Sequence, residues 1–358
     1  MIQGTNLGGW FALERWMTPE LFEGLEAHDE KEFYQELGFE AAKERLTYHW
    51  ETFITEKDFE QIATWKLNAV RLPVPYTIFG DVEGRVGCLP YVDKAFAWAE
   101  KYGIRILLDL HTVPGNANGL ENGGICGLCT WHLHPENVEK TLDVLKRLVA
   151  RYAASPAFWG IQPVNEPAGE EFFQHALYGY QEDYADNIAV SAPVPSSFLR
   201  EFYQTVYEEL NPLLRPDQKI VFHDGFRLAE WADFMPRGQY PNVLFDTHLY
   251  LNFARYTLKD KTCLSHLRYL LDNFLPQVTE AQKHHDILVG EWTLAHRTEE
   301  LPGMTPEELG NYYKLCSSLQ KLVYSQGAGW FYYSYRVDDP SRPAWDLRTV
   351  LKNNWMLL

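Results

Sequence analysis

The chain has 358 residues, of which 46% are hydrophobic, and a formal net charge of −17. This length and apolar content suit a large folded core and exclude an intrinsically disordered chain. The acidic balance opposes phosphate-rich partners, so we expect neither nucleic acid nor an anionic membrane surface as a partner.

Signals for export and membrane insertion are not found in the sequence. The stretch from Met1 to Trp10 has neither a basic start nor a continuous apolar run. No apolar run approaches the roughly 20 residues that a membrane span needs. The five cysteines are odd in number and mostly scattered, which suits a reducing compartment. We therefore expect a cytoplasmic protein, and its oligomeric state is open.

Short apolar runs alternate with amphipathic stretches along the whole chain. The runs predict strands at Gly4–Leu7, Ala69–Val74, Ile104–Leu110, Gly160–Val164, Lys219–His223, Val243–Thr247, Ile287–Gly290 and Trp330–Tyr335. The stretches predict helices at Glu56–Lys66, Tyr91–Tyr102, Pro135–Tyr152, Ser196–Leu210, Lys261–Lys283 and Pro306–Ser325. Alternation predicts a parallel sheet, and eight strands predict closure into a single-domain (β/α)8 TIM barrel over residues 1–358. A doubly wound sheet would need a glycine-rich phosphate loop, and the sequence has none.

Polar and aromatic residues follow almost every predicted strand. Because the carboxyl ends of barrel strands meet at one mouth, we expect these side chains to face a common pocket. They are Arg71, His111, Asn165 with Glu166, His223 with Asp224, His248 with Tyr250, Glu291 with Trp292, and Tyr335.

Two glutamates stand out among them. Glu166 ends the fourth strand in V-N-E-P, and Glu291 ends the seventh in V-G-E-W. Cleavage of a glycosidic bond with retention needs two carboxyl groups about 5–5.5 Å apart, one to protonate the leaving oxygen and one to attack. The alternative is that each glutamate only forms an ion pair, for example with Arg71. The occurrence of both, on these two strands, favours catalysis.

Several stretches give the chain a resemblance to glycoside hydrolase family 5, and within it to the exo-β-1,3-glucanase subgroup. The matching stretches are G-T-N-L-G-G-W-F-A-L-E-R-W, N-A-V-R-L-P-V-P-Y, L-D-L-H-T-V-P-G-N-A-N-G, V-N-E-P, F-H-D-G-F, L-F-D-T-H-L-Y and V-G-E-W. The resemblance runs from about residue 4 to about residue 350. Residues 169–195 stand apart as a loop insertion after strand 4, which is either a lid or an oligomer contact.

The resemblance implies a role for each matching position. Glu166 is then the acid/base and Glu291 the nucleophile, with a raised pKa expected for Glu166 and a lowered one for Glu291. Neither a cofactor nor a metal is implied. The resemblance also implies substrate-binding residues near the glutamates: Asn165 on the sugar 2-hydroxyl, Arg71 and Tyr250 beside the nucleophile, and His111 and His248 on sugar hydroxyls or on the glutamates. Around the pocket it implies Glu14 on the outer hydroxyls, Glu121 and Asn122 closing the pocket, and Phe253 at its entrance. Tyr335 is implied as the sugar platform, in place of the family's usual tryptophan.

The implied activity is that of a retaining, exo-acting β-glucosidase on β-1,3-linked gluco-oligosaccharides or related β-glucosides. A β-glucosidase or diglycosidase that acts on aryl, alkyl or disaccharide glycosides is one alternative, and a catalytically silent carbohydrate-binding barrel is another.

One further motif, Cys126-Gly-Leu-Cys129 with His132 and His134 close behind, has metal-ligand composition but compressed spacing. Two reduced loop thiols are the preferred interpretation.

Overall fold

The computed structural model describes residues 1–260, 262–295 and 303–358, and its eight parallel strands close into a barrel in chain order. The last strand pairs with the first, with Gly329 opposite Ile2. The predicted (β/α)8 barrel is thereby confirmed. The strands are β1 (Ile2–Asn6), β2 (Ala69–Val74), β3 (Arg105–Leu110), β4 (Phe158–Gln162), β5 (Lys219–His223), β6 (Val243–His248), β7 (Asp286–Trp292) and β8 (Gly329–Tyr332).

Helices surround the barrel, and most of the predicted ones are present. The α-helices are α1 (Glu30–Thr52), α2 (Glu56–Thr64), α3 (Leu89–Tyr102), α4 (Pro135–Tyr152), α5 (Glu170–Leu177), α6 (Ala185–Ala189), α7 (Ser196–Leu210), α8 (Cys263–Tyr269), α9 (Leu275–Ala281), α10 (Pro306–Tyr324) and α11 (Leu347–Lys352). None of the described helices is both long enough and apolar enough to cross a membrane.

Two parts of the helical layer differ from the sequence prediction. The sequence gives no prediction for α1, because Gly38 (φ 70°, ψ 169°) breaks its course and its apolar residues form no regular stripe. The single helix predicted over Lys261–Lys283 is instead α8, a π-helical turn at Leu270–Phe274 and α9. Lys261 itself lies outside the described residues.

Strand residues alternate between the barrel interior and the helical layer, as the two-residue period requires. In β2, Val70 and Leu72 pack in the large cluster beneath the helices, whereas Ala69 packs inside the barrel. The inner apolar cluster consists of Ile2, Ala69, Leu107, Val221, Leu244, Leu288 and Phe331. It fills the barrel on the amino-terminal side of the strands. The next inward-facing residues along the strands are polar, and they form the floor of the site.

Candidate active site

Arg71 is the centre of the polar layer inside the barrel. Its guanidinium is fully buried and donates to Gln162 Oε1 (2.8 Å), Asn6 Oδ1 (3.0 Å) and Asn165 Oδ1 (2.7 Å). It also forms ion pairs with Asp109 (3.0 Å) and Glu291 (2.7 Å). A buried guanidinium needs carboxylates to offset its desolvation, and here it has two. Arg71 therefore fixes Asn165 and Glu291 relative to each other.

Glu291 is held by two donors at the end of β7. Arg71 Nη1 donates to Oε1, and the Tyr250 hydroxyl donates to Oε2 at 2.6 Å. Both donors favour the carboxylate form and leave it little freedom to rotate. Glu291 is 4% exposed, so one edge still reaches the pocket.

Glu166 lies just beyond β4 with its backbone in the left-handed region (φ 46°). His248 Nδ1 lies 2.6 Å from its Oε1, and Asn122 Nδ2 donates to its Oε2 at 3.3 Å. Left-handed backbone is uncommon for a glutamate and is found mostly where the surroundings hold a functional side chain in place.

His248 bridges the two glutamates. The same Nδ1 atom lies 2.6 Å from Glu166 Oε1 and 3.5 Å from Glu291 Oε2. These two oxygen atoms are therefore no more than about 6 Å apart. Inverting glycosidases need about 6.5–9.5 Å between their carboxyl groups for a water molecule, whereas retaining ones need about 5–5.5 Å. The geometry suits retention.

The pKa shifts of the two glutamates run opposite to the expectation from the sequence. Burial raises the pKa of Glu291, and the nearby cations His248 and Arg71 offset only part of that rise. Burial also acts on Glu166, but the hydrogen bond and charge of His248 outweigh it and bring its pKa below the usual value. The carboxylates of Glu291 and Asp246 raise the pKa of His248 well above its usual range, against its burial. These directions favour a charged His248 beside an ionised Glu166.

Two histidines of the site contact aspartates that the sequence prediction did not include. Asp109 Oδ2 lies 2.6 Å from His111 Nδ1, and Asp246 Oδ2 lies 3.3 Å from His248 Nε2. His111 Nε2 in turn lies 3.4 Å from Asn165 Nδ2. The signal that could have found both aspartates is the repeated D-x-H, in L-D-L-H and F-D-T-H, because residues two apart on a strand face the same side.

Glu14 is buried among aromatic residues beside the site. It is 4% exposed, and it accepts hydrogen bonds from Trp16 Nε1 (3.0 Å) and from the Tyr333 hydroxyl. Burial raises the pKa of Glu14 to about 8. The Trp345 ring packs between Trp16 (centroids 4.9 Å apart) and Tyr250 (5.6 Å). Trp16, Tyr333 and Trp345 were all absent from the predicted site.

Tyr335, the predicted sugar platform, does not lie in the pocket. Its hydroxyl donates to Asp58 Oδ1 at 2.7 Å, and its ring lies 5.9 Å from Trp65, beneath α2. The prediction extended the strand alternation to residue 335, but β8 ends at Tyr332. Tyr333, with its hydroxyl on Glu14, occupies the pocket side instead.

The other predicted residues lie on loops around the mouth. Asn122 contacts Glu166, and Glu121 precedes it in a short 3₁₀ turn, where burial raises the pKa of Glu121 to about 7. Phe253 is 47% exposed and meets the Tyr250 ring edge-on at 5.9 Å. The structure thus brings together all the implied catalytic and substrate-binding residues except Tyr335. Trp292, which was also expected to face the pocket, packs instead beneath the helices against Tyr324, with ring centroids 5.4 Å apart.

Residues 169–195 fold over the loop that carries Glu121 and Asn122. Asn187 Nδ2 donates to the carbonyl of Cys126 at 2.8 Å, and Ser191 Oγ donates to that of Gly127 at 3.1 Å. On the other side, the Phe172 ring stacks on Phe226 at 3.8 Å. Burial raises the thiol pKa of both Cys126 and Cys129.

One group of side chains has the composition of a metal site. Among the described residues, ligand atoms of Glu166, His223 and His248 lie within 4.8 Å of one another. However, the Gly225 N–H donates to His223 Nδ1 at 2.9 Å, so in the neutral ring the proton is on Nε2. Neither nitrogen of His223 then presents a lone pair to the group. The donor set does not fit a metal ion.

Two buried carboxyl groups bridged by a histidine, at the ends of β4 and β7 of a (β/α)8 barrel, define a glycoside hydrolase. The family model Cellulase (glycosyl hydrolase family 5) matches residues 28–338. The chain belongs to glycoside hydrolase family 5.

Similar proteins agree with that assignment. "Glucan 1,3-beta-glucosidase 1" of Schizosaccharomyces pombe is 30% identical, over 98% of this chain and 86% of its own length. "Probable glucan 1,3-beta-glucosidase A" of Aspergillus clavatus is 31% identical, over 99% and 86%. Among solved structures, rutinosidase from Aspergillus niger superposes with a TM-score of 0.78 at 20% identity, covering 99% of this chain and 97% of that one. This last likeness shows the fold alone.

Proposed function

We propose that the protein is a retaining, exo-acting β-glucosidase that releases glucose from the non-reducing end of short β-1,3-linked gluco-oligosaccharides or related β-glucosides. The observation that carries the proposal is the His248 bridge between Glu166 and Glu291. The names of the relatives in Schizosaccharomyces pombe and Aspergillus clavatus support the substrate class.

Each glutamate takes the role that its contacts support. Glu291, held by Arg71 and Tyr250, attacks the anomeric carbon, and the glycosidic C–O bond breaks. Glu166, supplied with a proton from His248, protonates the leaving oxygen and then takes a proton from the water that hydrolyses the glycosyl-enzyme. Asn165, fixed by Arg71, binds the sugar 2-hydroxyl. The proposed reaction steps use no cofactor.

A cluster of side chains in mutual contact supports exo action. In this proposal the cluster forms the end wall that closes the pocket beyond the terminal sugar, and it consists of Glu14, Trp16, Tyr333 and Trp345. Tyr333 is the ring placed to stack on that sugar. Glu121 lies close enough to Glu14 for its charge to raise the pKa of Glu14, so it belongs to the same closed end of the pocket. Asn122 binds Glu166, and Phe253 is the entrance residue in this proposal.

A diglycosidase is the second candidate. Both oxygen atoms of Glu14 already accept hydrogen bonds, from Trp16 and from Tyr333, which weakens the hold expected on the outer hydroxyls of a terminal glucose. A sugar substituted at one of those hydroxyls would then be tolerated.

Product analysis separates these candidates. With laminari-oligosaccharides labelled at the reducing end, the proposal predicts loss of one glucose at a time, with the label retained on the shrinking chain. Early release of a disaccharide from a disaccharide glycoside would favour the diglycosidase. Binding of glucosides without turnover of even an aryl β-glucoside would identify a silent binding barrel and end the proposal.

We infer further that the protein works in the cytoplasm. Cys126 and Cys129 are buried thiols three residues apart and are not joined by a disulfide, which suits a reducing compartment. Fractionation of the native cells, followed by immunodetection, tests this inference, and recovery in the medium would contradict it.

A further inference from the structure

His223 is a fully buried histidine beside the acid/base pair that the proposed mechanism does not use. It ends β5, and its ring stands nearly perpendicular to the His248 ring, with centroids 4.3 Å apart. Within the described part of the chain, its Nε2 atom has no hydrogen-bond partner. A buried polar atom without a partner is costly, so its retention requires an explanation.

The protonation state of His223 follows from its backbone contact. The Gly225 N–H donates to Nδ1 at 2.9 Å, so Nδ1 is the acceptor and Nε2 carries the hydrogen. Burial, helped by the charge on His248, lowers the pKa of His223 well below its usual value. The ring is therefore a neutral donor whose N–H direction is fixed by β5 and by the turn at Gly225.

The residue of this cluster that carries a carboxyl acceptor is Glu166. One ring nitrogen of His223 lies within 4.8 Å of ligand atoms of both Glu166 and His248. During catalysis Glu166 must turn from His248 to the leaving oxygen, and it loses its proton there. In that position the Glu166 carboxylate contacts the leaving oxygen and no longer contacts His248. It therefore needs another hydrogen-bond donor.

We propose that His223 is a positioning residue for Glu166, whose Nε2–H binds the Glu166 carboxylate when that group turns away from His248 to protonate the leaving oxygen. The proposal rests on the acid/base role of Glu166. A neutral donor suits this task because it orients the carboxylate without adding a second cation beside His248. It also favours the carboxylate form, and so favours transfer of the proton to the leaving group.

The test compares substrates that need the proton with substrates that do not. His223→Phe removes the donor and keeps a ring, whereas His223→Gln keeps an N–H donor. We expect His223→Phe to lower kcat/KM about tenfold or more for phenyl β-glucoside, but less than about threefold for 2,4-dinitrophenyl β-glucoside, whose leaving group departs without protonation. His223→Gln should recover most of the loss. The alkaline limb of kcat, which reports on the enzyme–substrate complex, should move to higher pH in His223→Phe, because a carboxyl group that loses a donor holds its proton more tightly.

His285→Phe is the matched control, since His285 is also a buried histidine (2% exposed) but binds the Trp231 carbonyl at 2.8 Å, away from the pocket. It should leave the ratio of the two kcat/KM values at that of the parent protein. An equal fall for both substrates in His223→Phe, or an alkaline limb of kcat that stays in place, would overturn the proposal. Failure of the acid/base assignment itself would be seen separately, as undiminished cleavage of phenyl β-glucoside by Glu166→Ala.

Discussion

His248 Nδ1 lies 2.6 Å from Glu166 Oε1, and this contact decides where the proton for acid catalysis resides in the free protein. The negative charge of Glu291 and Asp246 raises the pKa of His248, and His248 in turn lowers that of Glu166. His248 and Glu166 therefore hold one proton between them, and activity requires that proton together with an ionised Glu291.

The first prediction concerns the pH dependence of kcat/KM, which reports on the free enzyme. The acid limb reflects protonation of Glu291, whose pKa is raised, so it lies above the usual range of a glutamate. The alkaline limb reflects loss of the proton from the His248–Glu166 pair, and since the pKa of His248 is raised, it lies well above the pKa of an ordinary histidine. In His248→Gln, Glu166 must hold the proton alone, so the alkaline limb should move to lower pH. An alkaline limb that stays in place in this variant would contradict the shared-proton account.

The second prediction assigns unlike roles to the two glutamates. Glu291→Ala should lose glycosylation, and azide should restore turnover of an activated glucoside with an α-glucosyl azide as product. Glu166→Ala should still cleave 2,4-dinitrophenyl β-glucoside and yield a β-glucosyl azide, because only its proton donor is missing. The anomers of the two azides can be distinguished by NMR. Exchanged anomers would reverse the assignment.

The third prediction concerns Glu14. Because its pKa is raised to about 8, Glu14 is protonated at neutral pH, and Gln is a close substitute for it. Glu14→Gln should keep kcat/KM within about threefold at pH 6–7, whereas Glu14→Ala should lose about 10- to 150-fold if the lost hydrogen bonds contribute about 1.5–3 kcal/mol.

Stability gives an independent check on the same residue. An acid whose pKa is raised by folding destabilises the protein progressively as the pH rises from its unfolded pKa to its folded one, and fully above both. Glu14→Gln should therefore melt a few degrees above the parent protein at pH 9 and close to it at pH 5. A lower Tm of Glu14→Gln than of the parent protein at pH 9 would show that folding does not raise the pKa of Glu14.

The sequence was sufficient for the barrel and for the residues at its strand ends, because the period of two and the clustering of polar residues after each strand are local patterns. The sequence was not sufficient to choose Tyr333 over Tyr335 as the tyrosine on the pocket side, since that choice depends on where β8 ends. Asp109 and Asp246 were missed although the repeated D-x-H places each of them two residues before its histidine, on the same side of the strand. The directions of the glutamate pKa shifts depend on the 2.6 Å contact with His248, which no motif encodes.

The fourth prediction concerns the stability provided by Arg71. Arg71→Gln removes the guanidinium that forms ion pairs with the buried carboxylates of Asp109 and Glu291, which should cost about 3–5 kcal/mol of the free energy of unfolding, measured by urea denaturation. Arg151→Gln is the control, since Arg151 forms an ion pair with Asp93 at the surface (2.5 Å), and should cost less than about 1 kcal/mol. Similar losses in both variants would show that the buried network contributes no more than a surface pair.

The stereochemistry of the first product tests the central claim most directly. The bridge through His248 limits the gap between Glu166 Oε1 and Glu291 Oε2 to about 6 Å, below the roughly 6.5–9.5 Å between carboxyl groups that an inverting mechanism needs. Proton NMR, recorded in the first minutes of hydrolysis of an aryl β-glucoside, should show β-glucose before mutarotation produces the α-anomer. Initial appearance of α-glucose would mean inversion, and with it a different role for Glu291.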